Sequence, residues 1–271
     1  MRGFRETNIR VHNIRHVGAT GWIRMDAAFR DRFVSLWSKY FGDSKLPVAV
    51  FYSDEPPQEG LISTEGGQCI IELLPNALKG ETVCFSAESQ ICGGAKRYLG
   101  FSDAVGMKNF EYFLSYGIPG KLQGERYKKT PELVRESSRF SPPFKAPKDF
   151  IIFKRWDMLE PSDEPEVVVF LLGLDAVSGL FTLANFDEAD PNAVISPFGS
   201  GCSSIVYHPY RELASSRPRC VLGMFDISAR PCVGENTLSF SVPYPKFLRM
   251  VENMGESFLT TSSWKVLHKR A

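Results

Sequence analysis

The sequence has no apolar run of the roughly 18 residues a membrane helix needs. Its most hydrophobic stretch, VVVFLLGL at 167–174, is only strand-sized. It also lacks a charge excess: 32 Lys and Arg stand against 31 Asp and Glu. A net charge of +1 supplies no field to hold nucleic acid or an anionic surface, so neither a nucleic-acid nor a membrane partner is expected. The first residues, MRGFRETNIRVHNIRH, have no continuous apolar core and no small-residue cleavage site, which predicts a cytoplasmic protein. C-x-x-C, C-x-x-C-H and H-E-x-x-H are all missing, so any metal site must draw its ligands from distant segments. No G-x-S-x-G elbow is present either. Histidine is scarce, at four, and only His12 and His16 have helical ligand spacing, with no third ligand nearby.

What is present is a 271-residue chain, 43% hydrophobic, long enough for a large core. Strand-sized and helix-sized segments alternate along it. Phe29, Phe33, Leu36, Trp37 and Tyr40 form one helical face, and VAVFYS at 48–53 reads as a buried strand. A helix over 69–78, bent or ended by Pro75, leads to a strand over 82–86 with Cys84 and Val83 on opposite faces. Helices are expected over 93–99 and 105–116, then a Pro-rich loop over 135–148. Strands at 149–156 and 166–172, a helix at 176–185, a short strand at 193–196, a helix start at 202–207 stopped by Pro209, strands at 221–226 and 237–243, and two short helices follow. The pattern predicts an α/β or α+β fold, mixed sheets with helices packed on their faces. The loop permits two similar lobes, 1–140 and 141–271, or one compact domain.

Six cysteines are too sparse for a disulfide scaffold. Two of them, Cys92 in ICGGAKRYLG and Cys202 in FGSGCSSIVYHP, sit beside glycines at expected helix starts. Free N–H groups and partial positive charge there favour a thiolate, and glycine lets a ligand or a second backbone come close. A tight turn holding a buried small residue is the plain alternative.

Taken together and in order, KLPVAVFYSDEPP, GQC at Cys69, SQICGGAKRYLGF at Cys92, SGCSSIV at Cys202, DISARP around Arg230 and LSFSVP resemble the domain of unknown function 169 family of archaeal and bacterial proteins. That resemblance implies a thiolate-bound zinc ion or iron–sulfur cluster on Cys69, Cys92 and Cys202. Where members carry a fourth cysteine shortly before the arginine matching Arg230, this chain offers Met224 or Asp226, and Cys220 and Cys232 lie nearby.

Three functions follow in order of preference. The first is a metal or iron–sulfur protein with Cys69, Cys92, Cys202 and Asp226 as ligands, serving redox or cofactor handling with a redox partner. The second is a small-molecule binding module framed by Gly93, Gly94, Gly201, Ser203 and Arg230. The third is a thiol enzyme with Cys202 or Cys92 as nucleophile and His208 as base.

Overall fold

The computed structural model describes residues 26–58 and 69–268. The helical stripe of aromatics becomes α1 (Ala27–Phe41), whose first turn is capped by Asp26 accepting the Ala28 amide. Then come β1 (Val48–Ser53), α2 (Ile70–Lys79), β2 (Val83–Ser86), α3 (Gly93–Tyr98), α4 (Phe110–Phe113) and α5 (Pro131–Ser138). The second half supplies β3 (Phe150–Arg155), β4 (Val167–Gly173), α6 (Leu174–Asn185), β5 (Val194–Ile195), α7 (His208–Glu212), β6 (Cys220–Gly223), β7 (Thr237–Pro243), α8 (Tyr244–Asn253) and α9 (Ser262–His268).

All seven of these strands join one mixed sheet in the order β2-β3-β1-β4-β7-β6-β5, antiparallel except for the β5–β6 pair. Strands from before and after residue 140 therefore interleave, with β3 seated between β2 and β1. Period-2 alternation explains why both faces are greasy. Ala49 and Phe51 of β1, with Val168, Phe170 and Leu172 of β4, face a core built with α1, α6, α8 and α9. Val48, Val50 and Tyr52, with Val167, Val169 and Leu171, face a second core built with α2, α3 and the 201–210 segment. This is an α/β protein with helices on both faces of a mixed sheet. Among the described residues no helix is long and apolar enough to cross a membrane.

Some local expectations fail for identifiable reasons. Pro75 lies inside α2 without ending it, and the helix runs on to a left-handed cap at Gly80. The expected helix over 105–116 shrinks to α4, because Val105 is pinned against Gly93 and Asn109 adopts a left-handed backbone that interrupts the chain. Part of the expected loop over 135–148 is helical, since Thr130 caps the Leu133 amide and Pro131 is at the first position of α5. Pro209 does not stop its helix either. A π-helical stretch, Ser203–Tyr207, leads without a break into α7, and Pro209 is accommodated where that helix changes from π to α winding. The His12/His16 pair lies outside the described residues.

Candidate functional site

The sheet sorts the cysteines. Cys84 and Cys220 point into the core under α1, α6 and α8. Burial pushes Cys84 up to about 11 and Cys220 up to about 12, and the Cys220 Sγ–H faces Met250 Sδ at 3.8 Å. Cys69, Cys92, Cys202 and Cys232 all sit on the opposite face.

Each of the first three is placed by a helix start. Cys69 is the N-cap of α2, with no side-chain capping bond of its own. Cys92 is the N-cap of α3, and its Sγ accepts the Ala95 N–H at 3.4 Å. Cys202 occupies the first turn of the helix that becomes π-helical at Ser203; its Sγ and the Ser200 hydroxyl are 3.1 Å apart.

The glycines do different jobs. A Cβ on Gly93 would lie 1.6 Å from the Val105 carbonyl oxygen, so this glycine exists to let two backbone segments touch. A Cβ on Gly94 would meet nothing within 4 Å. On Gly201 it would meet Ile71 Cγ1 at 3.0 Å, Met224 Sδ at 3.1 Å and Ala229 Cβ at 3.2 Å. Ile71 follows Cys69 by two residues and Ala229 precedes Cys232 by three, so the bare Cα of Gly201 is where the segments bearing Cys69, Cys202 and Cys232 knit together.

The sulfurs consequently act on one another. Burial pushes the Cys69 thiol up to about 11; the Ile71 amide pulls it down, while Cys92, Cys232 and Glu72 add to the rise. Cys202 is raised further, first by burial, with Cys92, Cys69 and Asp226 adding to it against the Ser200 hydroxyl. These thiols are therefore neutral near pH 7. Cys232 is raised by burial and by Glu72, whose Oε1 receives its Sγ–H at 3.9 Å.

The remaining expected site residues are engaged in holding loops. Asp226 Oδ1 accepts from the Tyr127 hydroxyl at 3.0 Å and from the Ser228 amide and hydroxyl at 3.0 and 2.8 Å, and its Oδ2 accepts the Gly201 N–H at 3.3 Å. Ser203 donates to the Ser200 carbonyl at 2.7 Å. The Arg230 guanidinium donates to the carbonyls of Thr237, Glu235 and Gly234, tying the turn before β7. His208 is driven down to about 4 by burial and then by Arg211, its ring set edge-on to Tyr207 at 5.0 Å. It is a neutral imidazole, and the hydrogen bond of the Cys202 sulfur goes to Ser200 instead.

Two features had no signal in the sequence. Met224, buried beside Gly201, has φ of 70°, a left-handed conformation costly for a side chain of its size. Tyr127 reaches across from the 101–129 excursion to anchor the Asp226 turn. Cys232 was visible only as one of two nearby cysteines; the sheet assigns it to the thiol face and Cys220 to the other.

Among the described residues no group of three or more His, Cys, Asp or Glu side chains is placed to hold a single metal ion. A concavity bordered by Tyr116, Lys121 and Arg126 and another bordered by Phe181, Phe186 and Phe258 have no cysteine in their lining. A family model described as uncharacterised ArCR, domain of unknown function 169, matches residues 39–253. No curated protein and no solved structure matches the chain.

Proposed function

This chain belongs to the domain of unknown function 169 family, and we propose that it is a thiolate-site protein in which Cys69, Cys92 and Cys202 together hold an iron–sulfur cluster. One observation carries the reading: cysteines from three remote segments meet on one face of the sheet, where Cys92 adds to the rise of Cys69 and both add to the rise of Cys202. Cys202 is buried, with Cys69 and Cys92 half-buried on the same face, and thiolates on neighbouring sulfurs oppose one another unless a counter-charge is present. A bound metal centre removes that conflict by deprotonating its sulfur ligands outright.

The donor set is all soft sulfur, which suits iron–sulfur ligation. A zinc ion needs its sulfurs at about 2.3 Å from a common centre, and among the described residues the side chains form no such single-ion set. A cluster spreads its ligands more widely and so fits thiols that are coupled without converging on a point. When bound, it supplies one-electron chemistry. The chain's own residues do the rest. The Ala95 amide and the Ser200 hydroxyl, already beside two of the sulfurs, stabilise negative charge on them. Asp226, saturated by four donors, supports the Gly201 backbone beneath Cys202 and serves as an anchor, not a ligand.

Protein purified without oxygen, and reconstituted with iron and sulfide, tests this. Visible absorption with bound iron and acid-labile sulfide is expected, lost in Cys92→Ser and Cys202→Ser and kept in Cys84→Ser. Colourless, iron-free protein after reconstitution ends the reading.

A further inference from the structure

The 101–129 excursion carries a depression of about 460 Å³ bordered by Tyr116, Pro119, Lys121, Gln123 and Arg126, within the size range of small-ligand sites. Its frame is tightly specified. Ile118, Pro119, Gly120 and Lys121 form a turn with proline second and a left-handed glycine third, closed by the Lys121 N–H to the Ile118 carbonyl at 3.0 Å. Gly124 packs backbone to backbone, since a Cβ there would lie 2.2 Å from the Ser115 carbonyl oxygen and 2.3 Å from the Gly117 nitrogen. The Arg126 amide then donates to the Ser115 carbonyl at 2.9 Å, fixing that residue in place.

At Arg126 the backbone is left-handed, φ 58°. At three of the other left-handed positions of the excursion the chain uses glycine (Gly106, Gly117 and Gly120), and at the fourth it uses Asn109, the side chain that tolerates this backbone best. An arginine at such a position is strained, and strain of this kind collects where a side chain's position is used. Nothing in the fold uses this one: among the described residues neither Arg126 nor Lys121 forms an ion pair or a side-chain hydrogen bond. Two unpaired cations thus border one concavity beside the half-exposed ring of Tyr116.

We infer that this depression binds a phosphate ester carrying a planar ring, with Lys121 and Arg126 on the phosphate and Tyr116 against the ring. Arginine offers a planar donor fork to phosphate oxygens, lysine a mobile point charge, and an exposed tyrosine a face for stacking. The site is separate from the thiol face, so its fate is independent of the cluster reading.

Calorimetric titration of the full-length protein at low ionic strength, with ADP, inorganic phosphate and adenosine as probes, tests the inference. ADP is expected to bind more tightly than either fragment and to weaken as salt is raised. Lys121→Ala and Arg126→Gly should each weaken ADP about tenfold or more. Arg126→Gly is the sharper variant, because glycine accepts the left-handed backbone; its melting temperature should hold or rise while binding falls. No saturable ADP binding, adenosine binding as tightly as ADP, or undiminished affinity in Arg126→Gly would each overturn the inference.

Discussion

The carboxylate of Glu166 accepts the Tyr52 N–H at 2.8 Å, taking the place of a strand partner just past Val50, the last residue of β1 registered on β4. That geometry buries a lone acid at 6% exposure between β1 and the start of β4.

Burial pushes Glu166 from 4.5 to about 7, against the Tyr52 amide and Lys148 and with Glu164 adding to the rise. A carboxyl raised in the native state costs nothing while protonated in both states. The native state loses stability as pH climbs from about 4.5 to about 7, and above that the loss stays constant at roughly 3 kcal/mol. Glu166→Gln keeps an acceptor for Tyr52 and removes the ionisation. Urea unfolding should show a flatter dependence over that window and a more stable variant at pH 8. An unchanged pH profile would show that the carboxyl titrates elsewhere.

On the opposite side of the sheet, Lys246 is fully buried with its Nζ 2.9 Å from Glu188 and 3.1 Å from Asp187. Burial alone would raise Glu188, but hydrogen bonds from Lys246, Arg217 and Arg249 overcome it and bring the acid down to about 2. Its contribution is present above about pH 4.5 and lost as pH falls towards 2. Lys246→Met should destabilise the fold by about 3 kcal/mol at neutral pH, because it leaves a largely buried carboxylate short of a partner. The acid limb of the stability curve should become shallower in the same variant. A neutral-pH loss below ~1 kcal/mol in chemical denaturation would contradict this.

Glycine substitutions separate packing from open space. Gly94→Ala meets nothing within 4 Å and lies in α3, so stability should hold or rise by up to ~1 kcal/mol. Gly201→Ala crowds Ile71, Met224 and Ala229 and should cost about 1–3 kcal/mol. Thermal melts that rank the two the other way would refute the assignment of their roles.

Cys220→Ser should cost about 1–3 kcal/mol, since it places a hydroxyl in an apolar core beside Met250. Iron taken up on reconstitution, as proposed above, should be unaffected per folded molecule, because Cys220 lies across the sheet from Cys69, Cys92 and Cys202. Loss of iron without loss of stability would place it in the site after all.

The second concavity, about 500 Å³ and bordered by Phe181, Phe186, Pro191 and Phe258 at the end of α6, adds no chemistry of its own. Its one acid, Glu188, is already committed to Lys246, Arg217 and Arg249.

Much of the fold was legible because it is written locally. β1 and β7 fall where alternating or continuous apolar residues end at Pro, Ser or Thr, and α1 follows the spacing of Phe33, Trp37 and Tyr40. The errors fall where a neighbour distant in sequence decides. Val105 against Gly93 unwinds an expected helix, and the π turn carries the chain smoothly through Pro209. Cys92 and Cys202 stood out through their glycine and helix-start surroundings, and Cys69 through the family resemblance. The loop duties of Arg230 and Asp226 did not, because hydrogen bonds to Thr237, Glu235, Tyr127 and Gly201 leave no periodicity to read.

By itself, the sequence determined the alternation of strands and helices, the double-faced burial of β1 and β4, and the helix starts that hold three cysteines, since each follows from side-chain period and capping within a few residues. Only the tertiary structure decided which sulfurs share a face. That choice depends on strand order, and the crossing that seats β3 between β2 and β1 and gathers Gly201, Ile71 and Ala229 at one point is set by packing between remote segments.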